Sequence, residues 1–209
     1  MVKNVDVNTQ SSIRIEAERI IYSDPLEIAG APHDADIILI THDHYDHFSP
    51  ADIEKAGNSD TVLILPEKMK DDVKKLSRKP GQVILVKPDE SLTVCGIPIE
   101  TVPAYNVNKK FHPKESGWTG YILTLGNTRY YISGDTDNTE DARRVKCDVA
   151  MVPIGGTYTM DPKEAAELIN TILPIVAIPT HYGSIVGKPG DAKTFRKFVK
   201  PEIDVEVKL

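Results

Sequence analysis

The run Ile37-Ile38-Leu39-Ile40, followed at once by Thr41-His42-Asp43-His44-Tyr45-Asp46-His47, constrains this chain more than any other stretch. Four consecutive aliphatic residues read as a strand buried on both faces. Open α/β sheets place their ligands beyond the carboxyl ends of such strands. Three of the chain's six histidines fall within six positions here. Imidazoles interleaved with carboxylates form the donor set of a divalent metal site. A loop that needed only solubility would draw on Lys, Glu, Ser or Gly, none of which occurs in the run Thr41 to His47.

The pattern recurs twice. Thr128 to Ile132 reads as a strand and runs into Ser133-Gly134-Asp135-Thr136-Asp137; Ile175 to Pro179 reads as another and runs into Thr180-His181-Tyr182-Gly183. Three strand ends that carry ligand-type residues imply one shared face of a sheet assembly.

The remaining pattern supplies the framework. Ile13 and Ile15 alternate with polar residues, and Arg19 to Tyr22 reads as their partner strand. Ser49-Pro50 is a helix start, with serine as N-cap and proline at the first helical position. A second helix is expected from Glu67 to Leu76, then a strand at Val83 to Val86 and a hairpin of Ser91–Cys95 and Ile97–Val102. Residues 103–118 form a long loop, and loops of that length in compact domains are usually functional or disordered. Thr119–Leu125 and Thr128–Ile132 make a hairpin across Gly126-Asn127. Asp161-Pro162-Lys163-Glu164 is a capping box opening a helix to about Leu173, Asp191 is expected to cap a last helix, and Ile203 to Val207 reads as a last strand. Strands followed by helices, twice over with no Ser/Gly linker, suit two packed sheets with helices outside. The whole chain, 1–209, reads as a single domain whose two ββα halves meet near 118–128.

A net charge of −6 argues against general nucleic-acid binding, which needs Lys and Arg to displace counterions. Cys95 and Cys147 are too few for a disulfide framework. The polar start and the lack of an apolar run near the ~20 residues that span a bilayer point to a cytoplasmic protein with no membrane partner. A homo-oligomer is compatible with the composition.

His42-x-His44-x-Asp46-His47 resembles the HxHxDH signature of the metallo-β-lactamase superfamily; Ser133-Gly134-Asp135 resembles its bridging-aspartate motif and Pro179-Thr180-His181 its last histidine motif. The HxHYDH form further resembles the branch that includes the L-ascorbate phosphate lactonase. This resemblance implies an α/β fold, a four-layer αββα sandwich. It implies one or two divalent metals per chain: zinc first, with manganese, nickel or iron also accepted by such sites. His42 and His44 would hold the first, and Asp46, His47, Asp135 and His181 the second, with Asp135 bridging. Asp43 and Asp137 are expected behind the ligands or in turns, and His33 in a plain loop. A metal-bound hydroxide would attack an ester, lactone or phosphodiester of a small, anionic substrate, with Asp46 holding the water or taking its proton.

One position departs from the family pattern. Members usually carry a first-site histidine as Pro-Ala-x-His, and here Pro103-Ala104-Tyr105-Asn106 places an amide there. Either His112 swings in from the long loop, or the first site is weak or empty. His112 otherwise reads as a proton donor or as a cap before Pro113. Tyr105, Asn106, Lys109, Trp118 and Tyr158, together with Phe111 and Lys110, are the expected pocket wall, and Gly155-Gly156-Thr157 a possible anion nest. Two further classes compete with the small-molecule hydrolase: a metal-dependent nuclease, and a non-catalytic metal-binding or sensing protein on the same fold.

Overall fold

The computed structural model describes residues 2–209. The first sheet contains β1 (Val5–Val7), β2 (Ile13–Glu16), β3 (Ile20–Ser23), β4 (Ile37–Leu39), β5 (Val62–Pro66) and β6 (Gln82–Val86), hydrogen-bonded in chain order. β1 to β3 pair antiparallel, and β3 to β6 pair parallel. The second sheet contains β7 (Ser91–Val94), β8 (Ile97–Pro103), β9 (Thr119–Leu125), β10 (Thr128–Ile132), β11 (Val149–Pro153), β12 (Val176–Thr180) and β13 (Asp204–Val205), again in unbroken order. β7 to β10 are antiparallel and β10 to β13 parallel. The chain therefore changes sheet once, between Val86 and Ser91, not near 118–128, which lies inside the second sheet.

The aliphatic runs bury both faces of each sheet because alternate side chains point opposite ways. Ile37 and Leu39 of β4 meet Tyr121, Leu123, Ile132 and Ile178 of the second sheet. Ile38 and Ile40 point outward onto Ile53 and Ala56 of α1 (Pro50–Ala56). On the other outer face, α3 (Pro162–Ile172) and α4 (Asp191–Phe198) lay Leu168, Ile169 and Phe195 on Tyr131, Ala150 and Ala177. A short α2 (Glu140–Arg143) adds Ala142 to that core. The result is the αββα sandwich that the resemblance implies.

Local details depart from the sequence pattern. β1 lies in the stretch that reads as plain polar, and within the strand Val5 and Val7 are buried. The helix expected over Glu67 to Leu76 is two 3₁₀ turns, Glu67–Met69 and Asp72–Lys75. Met69 and Leu76 of that stretch are buried in the core, and a half-buried Val73 packs against it. The N-cap of α4 is Gly190; Asp191 is the first helical residue and accepts the Lys188 backbone N–H instead. At α3 the expected capping box forms, with Asp161 and Glu164 reciprocally bonded.

Candidate metal centre

β4, β10 and β12 each end at the same edge of the sandwich. Two hydrogen bonds clamp the end of β4 to the second sheet. The Tyr121 hydroxyl donates to the Ile40 carbonyl at 2.7 Å, and the Thr119 N–H to the Thr41 carbonyl at 3.2 Å. The turn after β10 has to pass against Thr41. Gly134 sits there at φ +63°, where a Cβ would meet Thr41 Cβ at 3.0 Å, so glycine is the residue that fits. His181 is itself left-handed, φ +55°, and its N–H donates to the Gln10 carbonyl at 2.8 Å.

These constraints converge seven side chains in three overlapping groups: His42, His44 and His112; His42, His47 and Asp135; and Asp46, His47 and His181. Within each group the donor atoms lie within 4.8 Å of one another. Asp135 stands between them. Its Oδ2 is 3.3 Å from Nε2 of His112 and of His181 and 4.0 Å from Nε2 of His42, and its Oδ1 is 3.4 Å from Nε2 of His47. Asp46 Oδ2 lies 3.2 Å from His181 Nε2.

A metal fits these residues on structural grounds. His47 Nε2, His112 Nε2 and Asp135 Oδ1 are buried and have no hydrogen-bond partner. Buried polar atoms seldom go unsatisfied, and a divalent ion satisfies imidazole nitrogen and carboxylate oxygen together. Electrostatics prepares the same donors. Burial, with His47 close by, holds His42 well below the usual imidazole range, and burial with His112 lowers His44, so both keep free lone pairs. Burial alone would raise Asp135, but the charges of His181 and His47 outweigh it and keep it a carboxylate. Asp46 is likewise lowered against its burial, through its bond to His181 and the charge of His47.

The long loop answers the departure at Asn106. His112 is fully buried and enters the group with His42 and His44. Its backbone N–H donates to Asn106 Oδ1 at 3.0 Å, and its Nδ1 lies 3.1 Å from the same oxygen. Asn106 thus orients a histidine six residues on and does not face substrate. The Asn106 amide donates to Asp137 and to the Tyr158 carbonyl, and Asp137 also accepts from the Val107 N–H and, at 2.7 Å, from Lys109 Nζ. Lys109 is spent on that ion pair, and Lys110 is exposed. Tyr105 turns away and donates to Asp141. Trp118 packs its ring 5.0 Å from His42, 5.1 Å from His44 and 5.5 Å from His112, behind the ligands. Of the seven expected wall residues only Phe111 and Tyr158 line the open cleft, with His44, Tyr45, Asp46, Asp135, His181 and Ile185. His112 does not line it but stands in the group with His42 and His44. The amides of Gly156 and Thr157 donate to the Met160 and Gly155 carbonyls, so those two are not free for an anion. Asp43 is exposed, and His33 Nδ1 pairs with the Gly57 carbonyl.

Asp24 is the residue that sequence reading missed. It is completely buried, and accepts from the Thr41 N–H at 2.8 Å and the Thr41 hydroxyl at 2.6 Å. His47 Nδ1 lies 2.7 Å from its Oδ2. A carboxylate on the far nitrogen of a ligating imidazole fixes its tautomer and raises its basicity. His47 is correspondingly raised well above the ordinary imidazole range: burial opposes this, and Asp135 and Asp24 prevail.

Comparison with known proteins agrees with this geometry. The profile of the beta-lactamase superfamily domain matches residues 7–181. The chain belongs to the metallo-β-lactamase superfamily, within it to the UPF0173 metal-dependent hydrolases. A UPF0173 metal-dependent hydrolase of Aeropyrum pernix is 31% identical over 193 residues, covering 84% of this chain and 76% of the relative. One from Thermococcus kodakarensis is 30% identical over 207 residues, covering 92% and 90%. A solved structure from Parabacteroides distasonis, 30% identical, superposes with a TM-score of 0.82 over 98% of this chain and 92% of the other. The chain is a metal-dependent hydrolase. No helix among the described residues is long and apolar enough to cross a membrane.

Proposed function

We propose that this protein hydrolyses an ester, lactone or phosphodiester bond in a small molecule, using two divalent metals that the histidines and carboxylates around Asp135 would hold. The observation that carries the reading is the pair of terminal groups, His42–His44–His112 and Asp46–His47–His181, both within reach of the Asp135 carboxylate. A divalent ion in such a site supplies a water of lowered pKa and an electrophile for the ester oxygen. His42, His44 and His112 would hold one ion and Asp46, His47 and His181 the other. The nitrogen-rich set favours zinc; manganese, nickel and iron are accommodated by the same donors.

The chain's own residues supply the remainder. Asp46 borders the cleft as a carboxylate and can orient the attacking water or accept its proton. No Lys or Arg lines the cleft, so the counter-charge for an anionic reacting group such as a phosphodiester would have to come from the ions that the histidines and carboxylates would hold. That absence, with the acid balance of the chain, weighs against the nuclease reading. The cleft open to substrate weighs against a purely sensing role. A cytoplasmic location and a small anionic substrate remain part of this proposal.

The test is elemental analysis of protein purified without added metal, beside hydrolysis of bis(p-nitrophenyl) phosphate and a simple lactone. About two metals per chain with turnover is the expected result. One metal with turnover would confine the chemistry to a single site, and no metal after reconstitution would overturn the reading.

A further inference from the structure

The mouth of the metal cleft is apolar. Tyr45 is 71% exposed, Phe111 46% and Ile185 44%, and Tyr158 stands edge-on to Phe111 with ring centroids 4.6 Å apart. Exposed apolar groups clustered at a site mark a surface meant to be covered. Their arrangement is built rather than accidental. Phe111 immediately precedes His112, so the loop that delivers a buried ligand also delivers the rim residue. Asn106 donates to the Tyr158 carbonyl at 3.0 Å, which ties that loop to the one carrying Tyr158 and sets the two rings together.

The same cleft lacks what a charged substrate arm would need. No Lys or Arg lines it. Lys109 is held by Asp137 at 2.7 Å with Glu164 at 3.9 Å. The cleft volume is about 260 Å³, below the ~300–1,000 Å³ of drug-sized pockets, which leaves space for one ring or branched chain beside the reacting bond. An edge-to-face pair accepts a third ring by the same quadrupole geometry.

We propose that the non-reacting arm of the substrate is an uncharged aryl or branched alkyl group seated on Phe111, Tyr158, Tyr45 and Ile185. The substrate class is then a small ester, lactone or diester whose negative charge sits at the reacting end and whose other arm is apolar, in preference to a phosphorylated sugar. This inference rests on the hydrolytic reading above and names the substrate class of that same site.

The experiment uses the metal-reconstituted full chain and three phosphonates that present one head group on different arms: phenylphosphonate, methylphosphonate and 3-phosphonopropanoate. Calorimetry reads their Kd. Burying one aromatic ring is worth enough for phenylphosphonate to bind at least about tenfold tighter than methylphosphonate. Phe111→Ala should shrink that preference to about threefold or less, read as the ratio of the two Kd values. Ile185→Ser should shrink it too, and serves if the first variant is poorly folded. Equal affinities, or tightest binding of the carboxylate arm, would overturn the proposal. Turnover of phenyl and methyl p-nitrophenyl phosphodiesters is measured in parallel. Turnover with no aryl preference sinks the arm and leaves hydrolysis standing. Aryl-selective binding without turnover of any ester sinks hydrolysis and leaves the arm.

Discussion

The side-chain oxygen of Asn106 receives the backbone N–H of His112 at 3.0 Å and lies 3.1 Å from its Nδ1, so one amide fixes both the loop and the imidazole of a candidate ligand. The amide stands where a family histidine is usual, and the histidine it positions reaches the same first-site group. Partners of this kind typically cost 10–100-fold in metal affinity when removed. Asn106→Ala should weaken metal binding by about that range, read by competition with a chromogenic chelator, and His112→Ala should lower the stoichiometry toward one metal per chain. Unchanged affinity in Asn106→Ala would mean that the loop holds His112 without the amide.

Asp24 has three partners, the Thr41 N–H, the Thr41 hydroxyl and His47 Nδ1, and no exposure. Removing it leaves two buried donors and a buried imidazole without their acceptor. Losing one side of a buried charged pair costs about 3–5 kcal/mol. Asp24→Ala should lose stability of that order in urea unfolding of the metal-stripped protein, and should also reduce bound metal through His47. Loss of stability with full metal content would confine Asp24 to a structural role.

The contrast between Asp24 and Asp135 shows what the chain discloses on its own. His42, His44, His47, Asp135 and His181 were legible because each follows an aliphatic strand, and a strand end fixes where its next few residues go. Asp24 also follows a strand, but Asp24-Pro25 reads equally well as a turn, and its burial comes from pairing with β4, which is invisible locally. His112 was legible as a candidate only. Its placement depends on the path of a long loop, set by Asn106, Asp137 and Tyr158 from three different segments. The layers were legible from strands followed by helices, twice over, and from the unbroken aliphatic run Ile37 to Ile40, which reads as buried on both faces. The 3₁₀ turns at 67–75 were not, since their charged sequence suits an α-helix equally well.

The two cysteines differ enough to be told apart chemically. Cys147 packs against the outer core of the second sheet, and burial, helped by Asp148, pushes its thiol up to about 12. A raised thiol pKa means the protonated form persists until the pH approaches that value, and the thiol is a poor nucleophile below it. Cys95 is exposed. At pH 8 a disulfide reagent such as Ellman's should titrate about one thiol per native chain, with the second reacting only after denaturation or at far higher pH. Two fast thiols at pH 8 would show that Cys147 is open to solvent.

One of the two bonds that clamp β4 to the second sheet comes from a tyrosine. The Tyr121 hydroxyl is completely buried and donates to the Ile40 carbonyl at 2.7 Å, two residues before His42. Tyr121→Phe keeps the ring that packs in the inter-sheet core and removes only the donor. A buried carbonyl left without its partner costs about 1–3 kcal/mol. The variant should therefore unfold at lower urea with an unchanged m-value, while its metal content stays at the wild-type level because Thr119 still holds Thr41. If metal is lost together with stability, the Tyr121 bond is setting the position of the histidine run and not simply holding the sheets together.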